Sequence, residues 1–192
     1  MRIAIDLDGV VINLIDAWLD RINAKSDAAF TRHDITRFDF GGIVGLDDRS
    51  MYSHLTPDIY EVCTPEPGAE RGLLLLDAMA EKPLIIVSKS SGKADFESAK
   101  TAWLKRYFPS VNFEFRYVRS GEPKHPKLAD CDLFIDDYEA NFEGVTCRCV
   151  LFDQPWNRHV TGYRRAVGWR GVIEAVSEHQ QHILSGDAKA FG

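Results

Sequence analysis

The chain lacks what would bind it to a polyanion or a lipid surface. No basic run in its 192 residues is longer than two, and the formal net charge is −6. That balance excludes a nucleic-acid groove and an anionic membrane face. It does not exclude a small phosphorylated substrate, because a bound metal and one lysine can set the local field. No stretch reaches the ~18 apolar residues of a spanning helix. Met1 and Arg2 lead directly into a strand-like run with no apolar h-region, so no secretory leader is expected. Cysteine is scarce: Cys63, Cys131, Cys147 and Cys149 fit no zinc spacing. Cys147 and Cys149 sit in an alternating apolar run and read as core or half-buried thiols, which fits a reducing cytoplasm. Among the histidines only His179 and His182 have a shared spacing, and they read as a solvent-facing pair in a polar helix. No repeat or low-complexity tract is visible.

What remains is ordinary globular composition, 45% hydrophobic and 27% charged, enough for one domain with a small insert. Strand-like runs lie at 2–6, 84–88, 113–118, 131–135 and 147–152, with helical stretches between most of them. Alternation of this kind predicts an α/β fold, a Rossmann-like parallel sheet with helices on both faces. The first gap departs from it. Leu14, Ile15, Trp18, Leu19 and Ile22 recur at helical spacing over about 13–24. Thr31 or Asp34 could cap a short helix near 33–38, Gly41, Gly42 and Gly45 mark a loop, and 47–55 reads as another short helix. Residues 69–80 form an amphipathic helix. The expected organisation is a core of 1–13 and 73–185, a helical cap of 14–72 inserted after the first strand, and a tail at 186–192. An insert at that point overhangs the end of the first strand and is placed to act as a lid.

The chemistry starts at residues 3–11. The apolar run Ile3-Ala4-Ile5 delivers Asp6 and Asp8, and Gly9 follows. The carboxyl edge of an open parallel sheet is where ligand sites lie. Two carboxylates there can gather a hard divalent cation, and one can be a nucleophile. An EF-hand loop is excluded, because Val10 and Ala17 occupy positions that need oxygen ligands. The second strand ends at Ser88, followed by Lys89. A strand-end hydroxyl flanked by backbone N–H groups can hold a phosphate oxygen. The fourth strand ends in Asp136-Asp137. Adjacent carboxylates repel unless something positive joins them, and a cation shared with Asp6 and Asp8 is the economical explanation.

In this order the pieces resemble the haloacid dehalogenase-like hydrolases, and within them the 5′(3′)-deoxyribonucleotidase group. Trp18-Leu19 with Asn23, Asp34-Ile-Thr36, Pro65-x-Pro67-Gly68-Ala69, Leu133–Asp137, Phe152-Asp-Gln-Pro-Trp-Asn157 and Trp169 all carry that likeness. The resemblance implies Asp6 as nucleophile, Asp8 as general acid and base, and Ser88 as phosphoryl holder. It implies a Mg²⁺ site from Asp6, Asp8 (through its backbone carbonyl), Asp136 and Asp137. A lysine must meet both nucleophile and phosphate. Lys100, Lys124 and Lys127 are candidates; the distance of Lys100 from Ser88 and its Lys-x-x-Trp-Leu setting resemble the deoxyribonucleotidase group, and that resemblance favours Lys100. Lys89 and Tyr138 border the implied phosphate and base pockets, and Trp18 is a cap aromatic that could stack on a base. Animal members carry an aromatic residue at Leu14, arginine at Tyr138 and Ser-Pro at Lys89-Ser90.

The expected activity is Mg²⁺-dependent hydrolysis of a nucleoside monophosphate through an aspartyl-phosphate, in a cytoplasmic protein able to form a homodimer, with no nucleic-acid or membrane partner. The alternatives are another small metabolite phosphate such as a sugar phosphate, a polynucleotide end, and a non-catalytic binding protein with a retained metal site.

Overall fold

The computed structural model describes residues 1–81, 83–90 and 94–185. Six parallel strands form one sheet: β1 (Ile3–Ile5), β4 (Leu84–Ser90), β5 (Phe113–Arg119), β6 (Leu133–Asp136), β7 (Arg148–Phe152) and β8 (Arg164–Ala166). Their order is β5-β4-β1-β6-β7-β8. β1 is therefore central. Ala4 pairs with Ile85 on one side and Phe134 on the other, and Ile3, Ala4 and Ile5 are fully buried. A strand hidden on both faces needs an unbroken apolar run, and this one has it.

Successive side chains leave a strand on opposite faces. Ile3, Ile5, Ile86, Leu133 and Ile135 share a core with α4 (Ala69–Met79), α5 (Ala94–Tyr107) and α6 (Gly168–Leu184). Ala4, Ile85, Val87, Phe134 and Leu151 pack instead against Leu128, Cys131 and Phe142. Those residues come from the β5–β6 and β6–β7 connections, which hold only 3-10 turns at His125–Lys127 and Glu139–Phe142. Helices thus gather on one face rather than on both. α4 and α6 touch closely because residue 72 is glycine: a Cβ there would lie 2.2 Å from Trp169 Cε3.

Two further strands, β2 (Ile12–Asn13) and β3 (Thr64–Pro65), pair antiparallel. Between them the chain makes a helical excursion through α1 (Leu14–Asn23), α2 (Asp48–Ser53) and α3 (Ile59–Val62). Asn13 caps α1 by accepting from the Asp16 N–H, and Asp47 caps α2 by accepting from Ser50. The short helix expected near 33–38 is a 3-10 turn over Arg32–Asp34. The two-residue strands, α3 and β8 have no counterpart in the sequence reading. The expected tail, 186–192, lies outside the described residues.

All four cysteines are free, and burial pushes each thiol up to about 12, away from reactive thiolate chemistry. Among the described residues no helix is long and apolar enough to cross a membrane.

Candidate active site

Asp6 is the first residue past β1, and its N–H still donates to Ile135 O at 2.8 Å. The backbone then turns sharply: Val11 and Ile12 both donate to Leu7 O, at 2.9 and 2.8 Å. Gly9 makes this turn possible. Its φ is +81°, and a Cβ would fall 2.4 Å from Asp137 Oδ2. The loop carrying Asp6 and Asp8 is thereby pressed against the end of β6, where Asp136 and Asp137 emerge.

Asp6, Asp136 and Asp137 are all buried, and one carboxylate oxygen from each lies within 4.8 Å of the others. A single ammonium, Lys124, bonds two of them, 2.5 Å from Asp6 Oδ1 and 2.7 Å from Asp136 Oδ2. Asp136 is held further by the Tyr138 N–H at 2.9 Å and by Asn141 Nδ2. Asp137 accepts from Trp156 Nε1 at 2.9 Å, and its carbonyl accepts from Asn157 Nδ2 at 2.7 Å.

Asp8 lies on the other flank. Lys100 Nζ is 2.7 Å from its Oδ2 and also donates to Ser88 Oγ at 2.8 Å and Lys89 O at 2.7 Å. The Tyr60 hydroxyl, from α3, donates to Asp8 at 3.2 Å. The cation against Asp6 is therefore Lys124, not the Lys100 that the resemblance favoured. Lys100 leaves α5 beside β4 and reaches Ser88 and Asp8. Lys124 comes from the β5–β6 connection and drops between the ends of β1 and β6. Lys127 donates its backbone N–H to Lys124 O within that turn.

Above these groups opens a cavity of about 600 Å³. Its floor includes Asp6, Asp8, Ser88 and Asp137. The excursion supplies an apolar roof of Leu14, Trp18, Phe38, Phe40, Tyr52 and Leu55. Trp18 spends its indole N–H on Met51 O at 3.2 Å and meets Phe40 edge to face at 5.0 Å. Tyr138 does not line the cavity; it stacks on Phe38.

The match to known proteins bears on this arrangement. Residues 1–181 match the family described as 5′ nucleotidase, deoxy (pyrimidine), cytosolic type C protein. The chain belongs to this family. As a 5′ nucleotidase of the deoxy type it is an enzyme of the phosphatase class. It is 27% identical over 170 residues to a 5′(3′)-deoxyribonucleotidase of Bacillus subtilis, covering 88% of this chain and 95% of the relative. The 5′(3′)-deoxyribonucleotidase of Bacillus phage SPbeta matches equally. A haloacid dehalogenase-like hydrolase from Streptococcus pneumoniae shares the fold, with a TM-score of 0.59 at 13% identity over 91% of this chain and 97% of that one.

The electrostatics of this nucleotidase-family site follow from its burial. Burial raises the Asp6 carboxyl from 3.8 to about 7; Lys124 opposes this, while Asp136 and Asp8 add to it. Asp137 is pushed well above the usual carboxylate range by burial and by Asp136 and Asp6. Burial disfavours the Lys124 charge, but Asp136 and Asp6 outweigh it and hold that ammonium above its ordinary range. Three buried carboxylates facing one ammonium, with hard oxygen donors converging, fit a divalent cation such as Mg²⁺.

Lys124 was legible only as an alternative, and Tyr60 carried no sequence signal at all. The Gln-Pro-Trp-Asn segment acts beneath the cavity. Trp156 and Asn157 hold Asp137. Gln154 Nε2 donates to Gly9 O at 2.7 Å. Gln154 also donates to buried Glu66, which pairs with Arg32 of the excursion at 2.9 Å.

Proposed function

We propose that the protein hydrolyses nucleoside 5′-monophosphates, deoxynucleotides among them, through an aspartyl-phosphate on Asp6. The observation that carries this is Asp6 itself: a carboxylate at the end of the central strand, bonded to Lys124 and opening into a cavity roofed by aromatic and aliphatic side chains. A planar base can stack under such a roof, whereas a sugar phosphate would need hydroxyl partners there.

In this reading Asp6 Oδ attacks phosphorus as the ester P–O bond breaks, and Asp8 gives its proton to the departing alcohol oxygen. Asp8 then takes a proton from water, whose oxygen attacks the same phosphorus. The bond to Asp6 breaks, and inorganic phosphate leaves. Lys100 and Tyr60 hold Asp8 in position for both transfers. Ser88 offers its hydroxyl to a phosphoryl oxygen. Asp6 and Asp137, with Asp136 beside them and the Asp8 backbone carbonyl, would hold Mg²⁺, which when bound neutralises developing charge on the phosphoryl oxygens. The helical segment 14–72 serves as the cap that excludes water and selects the leaving group.

The test is phosphate release from a panel of ribo- and deoxyribonucleoside monophosphates and sugar phosphates, with Mg²⁺ and with EDTA, for wild type and Asp6→Asn. Release confined to nucleotides, dependent on Mg²⁺ and lost in the variant, supports the reading. Release only from sugar phosphates overturns the substrate, and turnover by Asp6→Asn overturns the nucleophile.

A further inference from the structure

Among the described residues three lysines approach the catalytic floor, and two of them are occupied. Lys124 is engaged by Asp6 and Asp136, and Lys100 by Asp8 and Ser88. Lys89 is different. It lines the cavity and is half-buried. Among the described residues its ammonium has no hydrogen-bond or ion-pair partner.

The strand geometry explains where it points. Ser88 and Lys89 are consecutive in β4, so their side chains leave on opposite faces of the sheet. Ser88 meets Lys100 on the α5 side. Lys89 lies on the other side, where Lys124 comes in. Its charge feels Lys124, Asp136 and Asp6, and burial holds its ammonium below the usual lysine range. A partly desolvated cation with no carboxylate of its own is an anion site awaiting its anion.

The charge balance of the floor gives this weight. Among the described residues four carboxylates (Asp6, Asp8, Asp136 and Asp137) stand against three ammonium groups, of which two are already committed. Mg²⁺, when bound, would offset that excess at the carboxylates, and a free cation facing the phosphate supplies the charge-assisted hydrogen bond that the two committed lysines do not. Building on the phosphatase reading above, we infer that Lys89 is the phosphate-capturing residue of this site, binding the non-bridging oxygens of the substrate and of product phosphate.

The test uses the full chain with Mg²⁺ and inorganic phosphate as probe. Wild type, Lys89→Met, Lys89→Arg and the exposed-surface control Lys105→Met are titrated calorimetrically, and KM and kcat are measured with a deoxynucleoside monophosphate. Lys89→Met should weaken phosphate binding at least about tenfold, the loss expected for one charged hydrogen bond. KM should rise by a similar factor, with kcat changed far less. Lys89→Arg should restore most of the phosphate affinity, and Lys105→Met should match wild type. Unchanged phosphate affinity in Lys89→Met, or a loss confined to kcat, would overturn the inference. Failure of the phosphatase reading looks different: wild type itself would neither bind nor release phosphate.

Discussion

Phe38 and Tyr138 lie face to face, ring centroids 3.8 Å apart and planes 12° from parallel. One belongs to the helical excursion, and the other directly follows the acidic pair at the end of β6. The contact fastens the roof of the cavity to the segment that follows β6. A stacked pair is worth about 0.5–1.5 kcal/mol beyond its buried area. Tyr138→Ala should therefore raise KM for nucleoside monophosphates a few-fold while kcat changes little. Steady-state kinetics decide it, and an unchanged KM would show that the clasp plays no part in holding substrate.

Lys124 and Lys100 should separate cleanly on substitution. Lys124→Met leaves Asp6 and Asp136 buried without their cation, a loss on the order of 3–5 kcal/mol for a broken buried pair. Urea unfolding of the metal-free protein should show it, together with near-complete loss of turnover. Lys100→Met frees a carboxylate, Asp8, that is partly open to solvent, so the stability loss should be clearly smaller. Equal losses in the two variants would contradict the division of labour described above.

Metal binding should depend on pH with a defined sign. In the metal-free protein the Asp6 carboxyl is raised from 3.8 to about 7. Between those values the folded chain holds a proton that an unfolded chain has released. This group thus favours folding below about 3.8, and that contribution is lost as pH rises through about 7. Mg²⁺ takes the ionised form, so its affinity should climb as pH approaches 7 and level off above it. Titrations in two buffers of different ionisation enthalpy should report proton release at pH 6 and little at pH 8. A Mg²⁺ affinity flat across that range would refute the assignment.

Gly9→Ala should abolish activity without changing any charged group. Its φ of +81° costs a side-chain-bearing residue about 1–2 kcal/mol, and the added Cβ would sit 2.4 Å from Asp137 Oδ2. Something must shift, and the nearest thing is a proposed metal-binding carboxylate. A variant with wild-type Mg²⁺ affinity and turnover would show that the loop has room to spare.

The parts of the site that could be read from sequence were those fixed by strand ends. Asp6, Asp8, Ser88, Asp136 and Asp137 each close an apolar run or lie within two residues of one, and parallel pairing carries such ends to one edge. The choice of lysine was not legible, because a long side chain's reach depends on the path of the connection that bears it. β2 and β3 hold two residues each, too few to show a period. β8 reads Arg164-Arg165-Ala166 and offers no alternation, since as an edge strand it buries only Ala166 fully. α3 is four residues long and sits between prolines, which read as breakers. Helices on both faces were expected because alternation is visible in sequence, whereas a 3-10 turn able to cover a sheet leaves no periodic trace.

The β2–β3 ribbon means that the chain enters and leaves the roof at two adjacent points. Closing a chain between such points costs little more as it lengthens, about 0.6 kcal/mol for each doubling. The roof is therefore a replaceable part: it can be enlarged, trimmed or exchanged for another helical segment while the strands that fix the carboxylates keep their register. Selectivity in this protein can change while the strand-borne carboxylates stay put, and an engineer could graft a different roof at Asn13 and Thr64 so long as the new segment keeps the Tyr60 hydroxyl on Asp8.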